Sequence, residues 1–508
     1  MSCFPSRVDT SHIMGSTACF LCGVQDANTC IHCKMVSSCE RHIAVHRIED
    51  FCYPFTISSE EGRGRFLVAT RDIQPGELIL CDKPIVQTPY TKSKAQCLQC
   101  YKLISGTYKC PACGFPMCGP LCAKGDIHKI ECSIFEQADF EAEIENMNAD
   151  DDHYAAIMPL RCLHLKRNDP ELWERFSRFL GHSEQQKQLY PDLFAYHQEH
   201  SVEFLRDTCE LGELYSEDEI HQAIAIMYIN SVNMELGPGH GQGTAFYPTF
   251  AHMNHSCLCN TQTVKLPNHL LEVRALRKIK TGEEISTQYV TGDKPTRLRR
   301  QMLFKKWFFW CNCYRCSDKT ECESYLGALL CPVLKCAGEM LPQDPLDTKS
   351  DYSCQKCNKK MQFKDVERIT SAAEKDIRTP DNKYDLIEHM ERFLHRKANL
   401  LHPNNYIMIT VKLKLGSIYG NCQGYTIDSL PQPLLERKLQ VCLDVKDALD
   451  TVDPGLNKWR GKINTEIAKA SLCIAKRKIN RKKHSQKTVI ENHSINPKYS
   501  THAPLLFT

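Results

Sequence analysis

Residues 97–132 read CLQCYKLISGTYKCPACGFPMCGPLCAKGDIHKIEC. The spacing is C-x2-C-x9-C-x2-C-x4-C-x3-C-x5-H-x3-C, which sets out Cys97, Cys100, Cys110, Cys113, Cys118, Cys122, His128 and Cys132 in paired order. Seven thiols and one imidazole fill two tetrahedral Zn2+ sites with no ligand left over, since structural zinc takes four Cys or His side chains. Upstream, Cys19, Cys22, Cys30, Cys33, Cys39, His42, His46 and Cys52 repeat the same order, with His42 where a cysteine is usual. This predicts a second, divergent module of the same kind, for which Cys3, His12 and His32 are competing ligands.

Bulk composition fits that picture. A chain of 508 residues is too long for one core, so several domains are expected. With 42% hydrophobic and 25% charged residues it belongs to the soluble globular class. A net charge of +3 creates no global field, and direct nucleic-acid binding is not expected. No run of about 18 apolar residues is present, so no membrane span is expected. The first residues lack a charged-then-apolar leader, which argues against secretion. Thirty cysteines in such a chain point to metal thiolates in a reducing compartment rather than disulfides.

Either side of the finger the hydrophobic pattern has period two. Gly64-Arg65-Phe66-Leu67-Val68-Ala69-Thr70, a Gln74-Pro75-Gly76-Glu77 turn and Leu78-Ile79-Leu80 predict strand-turn-strand. Residues 133–227 have helical spacing, as in Leu172, Trp173, Phe176, Phe179 and Leu180, and predict a helical insertion. Gly237 to Gly243 is glycine-rich without a phosphate-loop ending and reads as a flexible connection. Strand patterning returns over 245–290, with Leu271–Ala275 alternating and a second turn at Lys280–Glu283. Cys311, Cys313 and Cys316 supply three ligands of a further zinc; Cys257, Cys259 or Cys322 is available as the fourth. Cys331, Cys336, Cys354 and Cys357 are two pairs spaced as in a zinc ribbon. From about residue 366 amphipathic helices suit a helical repeat array, and from about Asn480 the chain reads as a polar, disordered tail.

Tyr247 to Cys257, with Asn254-His255-Ser256-Cys257 at its end, resembles the central motif of a SET domain. Gly282-Glu283-Glu284-Ile285-Ser286-Thr287-Gln288-Tyr289 resembles its catalytic strand, and Gly64–Ala69 its first cofactor loop. Residues 97–132 resemble a MYND zinc finger, and Leu401–Tyr406 a helix start in a C-terminal helical array. Together these resemble the SMYD lysine methyltransferases, whose SET domain is split by a MYND finger; the N-terminal module and ribbon are closest to an arthropod-type subgroup.

The resemblance implies a multidomain α+β fold: a β-rich SET domain split by the finger and a helical insertion, then post-SET zinc, zinc ribbon and a TPR-like helical domain. Its segments are an N-terminal MYND-like module (1–55), the first SET part (56–96), the finger (97–132), the insertion (133–227) and the SET core (228–292). The post-SET segment (293–318), ribbon (319–365), helical domain (366–479) and polar tail (480–508) follow. It also implies S-adenosylmethionine (AdoMet) and Zn2+ as cofactors. Cys257 is then the fourth post-SET ligand, because the Asn-His-Ser-Cys context matches the family. Gly64, Arg65, Phe66, Asn230, Asn254, His255 and Phe309 are implied to hold the cofactor, Tyr289 to act in catalysis, and Val232, Tyr289 and Trp307 to line the lysine channel.

Methyl transfer to a lysine needs a neutral amine, a dry aromatic channel and oxygen acceptors aimed at the methyl group, which suits these residue types. The sequence departs from the family pattern at Phe66, where a second glycine is usual, and at Cys259, which replaces a proline. Val232 and Trp307 stand where channel aromatics, in the second case a tyrosine, are usual. These departures frame two readings: a protein-lysine methyltransferase on histone or non-histone proteins in transcriptional regulation, or a weak or inactive adaptor binding proline-containing peptides. Nucleus and cytoplasm are the expected locations, Lys476–Lys478 with Arg481–Lys483 being a candidate import signal.

Overall fold

The run Phe66-Leu67-Val68-Ala69 is buried throughout, and this fixes the central strand of the first sheet. In the computed structural model, residues 19–494 are described, except 20, 22–23, 26, 33–35, 49–50, 235, 267–268, 378–382, 423–424 and 454–457. Cys3, His12, Cys22, Cys33 and residues 495–508 lie outside the described set. The chain divides into two compact units, Met1–Val290 with Arg300–Cys313, and Thr291–Arg299 with Tyr314–Thr508.

In the first unit, two short ladders, Asn28–Thr29 with Ser37–Ser38 and Arg47–Ile48 with Phe51–Cys52, precede the main strands. These are β1 (Phe55–Glu60), β2 (Gly64–Ala69), β3 (Leu78–Asp82), β4 (Val86–Pro89), β5 (Val232–Asn233), β6 (Gly243–Phe246), β7 (Thr261–Lys265), β8 (Leu271–Ala275) and β9 (Glu284–Ile285). They form three antiparallel sheets ordered β9–β2–β1, β7–β8–β3 and β4–β6–β5. Two glycine turns knit the strands together. Gly76 and Gly282 have φ of +80° and +77°, a region glycine enters without Cβ strain. Their amides reach the carbonyls of Ala275 and Ala69, each at 2.8 Å.

Between β4 and β5 lie the finger and the insertion. The helices used below are α1 (Lys129–Gln137), α2 (Ile157–Asn168), α3 (Pro170–Ser177) and α4 (Glu217–Asn230). Asp169 caps α3 by accepting from the Leu172 amide, with Pro170 in the first turn. Ser216 and Glu219 form a capping box on α4. Two short helices (Ser183–Leu189 and Pro191–His197) and a π-helical stretch (Gln198–Thr208) fill the interval, so the insertion is helical as expected. Finger and insertion share one core: Leu98, Phe115 and Phe135 pack in the same cluster as Leu160, Phe176, Ile224 and Phe246.

The glycine-rich segment 237–243 is not the flexible connection expected. It is tied to the finger: Leu103 donates to the Gly239 carbonyl at 3.0 Å and Gly241 to the Tyr101 carbonyl at 2.7 Å. A Cβ at Gly241 would lie 2.2 Å from the Gln96 side-chain oxygen, so its smallness serves close packing.

In the second unit the ribbon is a four-stranded antiparallel sheet, β10 (Leu329–Leu330), β11 (Glu339–Pro342), β12 (Tyr352–Cys354) and β13 (Lys360–Met361). Helices follow at Phe363–Asp376, Lys383–Lys397, Tyr406–Ile418, Gln432–Asp450 and Lys458–Ser494, around a core that includes Phe393, Ile409, Leu415, Val441 and Ile463. Asn405 caps the Tyr406 helix by accepting from the Ile407 amide. The expected disordered tail from Asn480 is corrected by the last helix, which continues to Ser494. Lys, Arg, Gln and Glu are good helix formers, and the packed first turns nucleate a helix that a polar sequence extends at little cost. The Lys476–Lys483 run lies on that helix, largely exposed.

Candidate active site and metal centres

A buried carboxylate sets the central segment. Asp82, at the end of β3, accepts from the amides of Thr249 and Phe250 at 2.7 and 2.8 Å. Burial raises its pKa, opposed by those two amides and by the charge of Arg175. This anchors the turn Phe250–His252 and delivers Asn254 and His255 to Thr287, which bridges to His255 and donates to the Asn254 carbonyl at 3.0 Å. The expected catalytic strand is shorter than its sequence pattern: regular pairing covers Glu284–Ile285, and Tyr289 sits on a bend just past the Thr287 bridge.

His255 is the hinge of the site. Its Nδ1 accepts from the Tyr289 backbone N–H at 3.0 Å, so in the neutral ring the proton is on Nε2, which faces the Cys257 sulfur at 3.2 Å. Both ring nitrogens are thereby committed, one to the bend that carries Tyr289 and one to a candidate metal ligand. The Tyr289 hydroxyl donates to the Met253 carbonyl at 2.8 Å. Burial, reinforced by the Glu284 carboxylate, pushes its pKa up, so it stays a phenol. Its one proton is spent on Met253, leaving oxygen lone pairs to accept.

Aromatic rings close around this point. Tyr289 and Trp307 lie 4.9 Å apart between centroids, and His255 and Phe309 6.2 Å apart. The Trp307 indole N–H donates to the Ile229 carbonyl at 3.0 Å, next to Asn230. Phe308 has φ +59° and stands directly after the helix α5 (Thr296–Trp307), ahead of Phe309 and Cys311. Asn254 donates to Glu284 at 3.2 Å, and Glu284 also accepts from Arg63. Asn230 donates to the carbonyls of Ile226 and Leu180. Val232, on β5, packs on the core containing Tyr247 and Met253.

The structure therefore brings His255, Tyr289, Trp307 and Phe309 together, with Asn254 beside His255 in the chain, while the Asn230 amide turns to Leu180 and Ile226. The Gly64–Phe66 segment lies in a strand, as its hydrophobic pattern predicted, rather than in the cofactor loop that the resemblance implied. Gly64 is exposed at its start, Phe66 is buried beneath the Arg63 guanidinium, and Arg65 turns to the Arg178 carbonyl and the face of Phe179. Sequence reading missed Asp82, Arg63, Glu284 and the Met253 carbonyl as supports. Glu284 stood inside the quoted segment and Arg63 one residue before another; nothing in the sequence distinguishes Asp82 from an ordinary strand end.

The cysteines gather as metal tetrads. The sets are Cys97, Cys100, Cys118, Cys122; Cys110, Cys113, His128, Cys132; Cys257, Cys311, Cys313, Cys316; and Cys331, Cys336, Cys354, Cys357. Zinc–sulfur bonds of about 2.3 Å in a tetrahedron put sulfurs about 3.8 Å apart. Observed pairs fit: 3.5 Å for Cys100–Cys118, 3.6 Å for Cys110–Cys132, 3.5 Å for Cys331–Cys357 and 3.6 Å for Cys336–Cys354. In the finger the two sites interleave, the first and third pairs sharing one ion and the second and fourth the other. In the N-terminal module Cys19, Cys39 and His42 form a group, with the His42 Nδ1 at 3.5 and 3.3 Å from the two sulfurs. Cys30 and Cys52 approach to 3.6 Å, and His46 is buried. Cys259 donates to the Thr261 carbonyl and lies outside the Cys257 tetrad, as does Cys322.

Outer partners brace the finger. The His128 Nδ1 lies 3.4 Å from Glu131, whose carboxylate is gripped by Arg161 on α2. Arg161 also donates to the carbonyls of Gln87 and Leu98 and to the Tyr101 hydroxyl, at 2.7 to 2.9 Å. Such second partners fix the ring of a ligating histidine.

Compared with known proteins, residues 64–290 match the SET domain family. The chain is 27% identical over 375 residues to SET domain-containing protein SmydA-8, isoform A, of Drosophila melanogaster, covering 71% of this chain and 77% of that protein. It is 28% identical over 286 residues to N-lysine methyltransferase SMYD2 of Homo sapiens, covering 54% of this chain and 61% of that one. Histone-lysine N-methyltransferase ASHR1 of Arabidopsis thaliana is 26% identical over 359 residues, covering 66% and 69%. A solved structure titled as the SET domain of LSMT bound to lysine and AdoHcy is similar at 13% identity and a TM-score of 0.25, covering 85% of this chain and 86% of that one.

Proposed function

We propose that this chain, which matches the SET domain family over residues 64–290 and is similar to SMYD-type relatives, is an AdoMet-dependent protein-lysine N-methyltransferase. The observation that carries the reading is the convergence of Asn254, His255, Tyr289, Trp307 and Phe309, braced by the Cys257 tetrad. AdoMet supplies an electrophilic methyl group on a sulfonium. Asn230, Asn254, the backbone of His255 and the Phe309 ring would hold the cofactor, with Gly64, Arg65 and Phe66 on the flanking strand. Val232, Tyr289 and Trp307 wall a channel that strips water from the incoming lysine and favours its neutral form. The Tyr289 oxygen, its proton held by Met253, keeps lone pairs free and would accept from the incoming amine.

The substrates are lysines of histone or non-histone proteins in transcriptional regulation, in nucleus and cytoplasm, with the finger docking proline-containing partner peptides. One observation favours the adaptor alternative: Trp307 offers no hydroxyl, and its indole N–H is spent on Ile229. Calorimetric titration of the zinc-loaded protein with AdoMet tests the main reading. Saturable binding is expected, and its absence refutes the enzyme.

A further inference from the structure

We infer that the cleft between the end of α3 and the turn Phe250–His252 binds a phosphoryl oxyanion that still carries a proton, as inorganic phosphate or as a phosphate ester. The site would act whether or not the chain transfers methyl groups. The cleft has a volume of about 290 Å3, and Arg65, Arg175, Arg178, Pro248 and His252 line it.

Its guanidinium groups lack acids to meet them. Arg175 is half-buried, yet its side chain bonds only to the Thr249 hydroxyl, at 3.4 Å, and no carboxylate pairs with it among the described residues. Arg65 donates to the Arg178 carbonyl at 3.0 Å and lies over the Phe179 ring, 4.8 Å from its centroid, again with no carboxylate partner among the described residues. The acids nearby are engaged elsewhere. Glu174 pairs with Arg178 and Arg41, Glu171 with Arg41, Asp169 accepts from the Leu172 amide, and Asp82 from the amides of Thr249 and Phe250. Asp82, Glu171 and Asp169 act on Arg175 only through space. A partly buried cation without a bonded counter-charge is costly, and guanidinium forks match phosphate oxygens two at a time.

His252 decides which oxyanion fits. It is 3% exposed and stands edge-on to Phe179, with ring centroids 4.7 Å apart. Its Nδ1 lies 3.0 Å from the Pro248 carbonyl, which can only accept, so Nδ1 carries the proton. The Nε2 of the neutral ring is then a bare lone pair, and it has no hydrogen-bond partner among the described residues. Burial, together with the charges of Arg65 and Arg175, pushes the pKa down to about 3, so the ring stays neutral. A fitting ligand brings oxygens for the arginines and one O–H for Nε2. A phosphoryl group keeps such a proton in slightly acid solution, whereas sulfate has none to give.

The test titrates the zinc-loaded protein calorimetrically with sodium phosphate and, separately, with sodium sulfate, at about pH 6.5 and without AdoMet. Expected is saturable phosphate binding, tighter than sulfate by roughly ten- to a hundred-fold, because sulfate leaves a buried acceptor unmet. His252→Leu should abolish that preference, and Arg175→Met should weaken both anions. Arg178→Met, at an exposed position, serves the same end should Arg175→Met not fold. O-phosphoserine as a further probe separates the two sources. Tighter binding than inorganic phosphate assigns the cleft to a phosphorylated side chain of a partner, weaker binding to the free ion. Sulfate binding as tightly as phosphate overturns the proposal, as does the absence of phosphate binding. Displacement of phosphate by saturating AdoMet overturns it too, since the arginines would then belong to the cofactor's site. If phosphate binds and AdoMet does not, the anion site stands and the enzyme reading falls.

Discussion

At the scale of single residues, Tyr289 carries the sharpest expectation. Tyr289→Phe removes the oxygen acceptor but leaves the ring against Trp307 and the backbone bond to His255. Single-turnover methyl transfer should fall by about 10²-fold, the usual effect of removing one preorganised polar group, while calorimetric AdoMet affinity stays nearly unchanged. Equal rates would remove Tyr289 from the chemistry. The tyrosine was legible from its place after Gly-Glu-Glu-Ile, and so were the neighbouring asparagines. What lies behind them was not. The Met253 carbonyl, the Asp82 carboxylate and the Arg63–Glu284 pair act through positions that only the folded backbone defines, and a linear motif carries no record of which carbonyl a hydroxyl will meet.

At the scale of elements, the finger is bound into the first unit rather than appended to it. Arg161 and Glu131 are buried, and removing one partner of such a pair strands the other charge. Arg161→Met should therefore cost about 3–5 kcal/mol in denaturant unfolding and speed zinc release from the His128 tetrad, measured with a colorimetric chelator. Unchanged release would mean that Glu131 does not orient His128. The cysteine spacing revealed the finger and its ligands, but the interleaving of the pairs depends on how the loops cross in space. The insertion holds a second buried group, His197, whose pKa is pushed down to about 4 by burial and by the neighbouring His221 and His200. Its folded pKa is below the ordinary 6.5, so its contribution to stability is present above 6.5 and is lost as pH falls from there toward 4. At about pH 5 the loss is about 2 kcal/mol, from about 1.4 kcal/mol per pH unit. The urea midpoint of the wild type should drop between pH 7 and pH 5 by more than that of His197→Gln; parallel drops would contradict this.

At the scale of the whole molecule, metal and fold are one problem. Six tetrads were read from the sequence, and the structure gathers four complete ones, with parts of the two N-terminal sites among the described residues. Metal analysis of the intact protein should give six tightly held zinc ions, and three or fewer would contradict the assignment. Chelation should unfold the fingers locally, because structural zinc supplies their folding energy. The zinc ribbon followed from its cysteine spacing, whereas the division into two compact units did not. The extent of the last helix did not, because a polar sequence of good helix formers and a disordered tail have nearly the same composition; continuity with packed turns decides between them. The central claim is that this assembly moves a methyl group from AdoMet to lysine. Its most direct test is to incubate the zinc-loaded protein and Tyr289→Phe with methyl-labelled AdoMet and cell-extract proteins, then identify the labelled amino acid after hydrolysis. Labelled methyl-lysine from the wild type, strongly reduced in the variant, is predicted; AdoMet binding with no labelled methyl-lysine from any protein would contradict it.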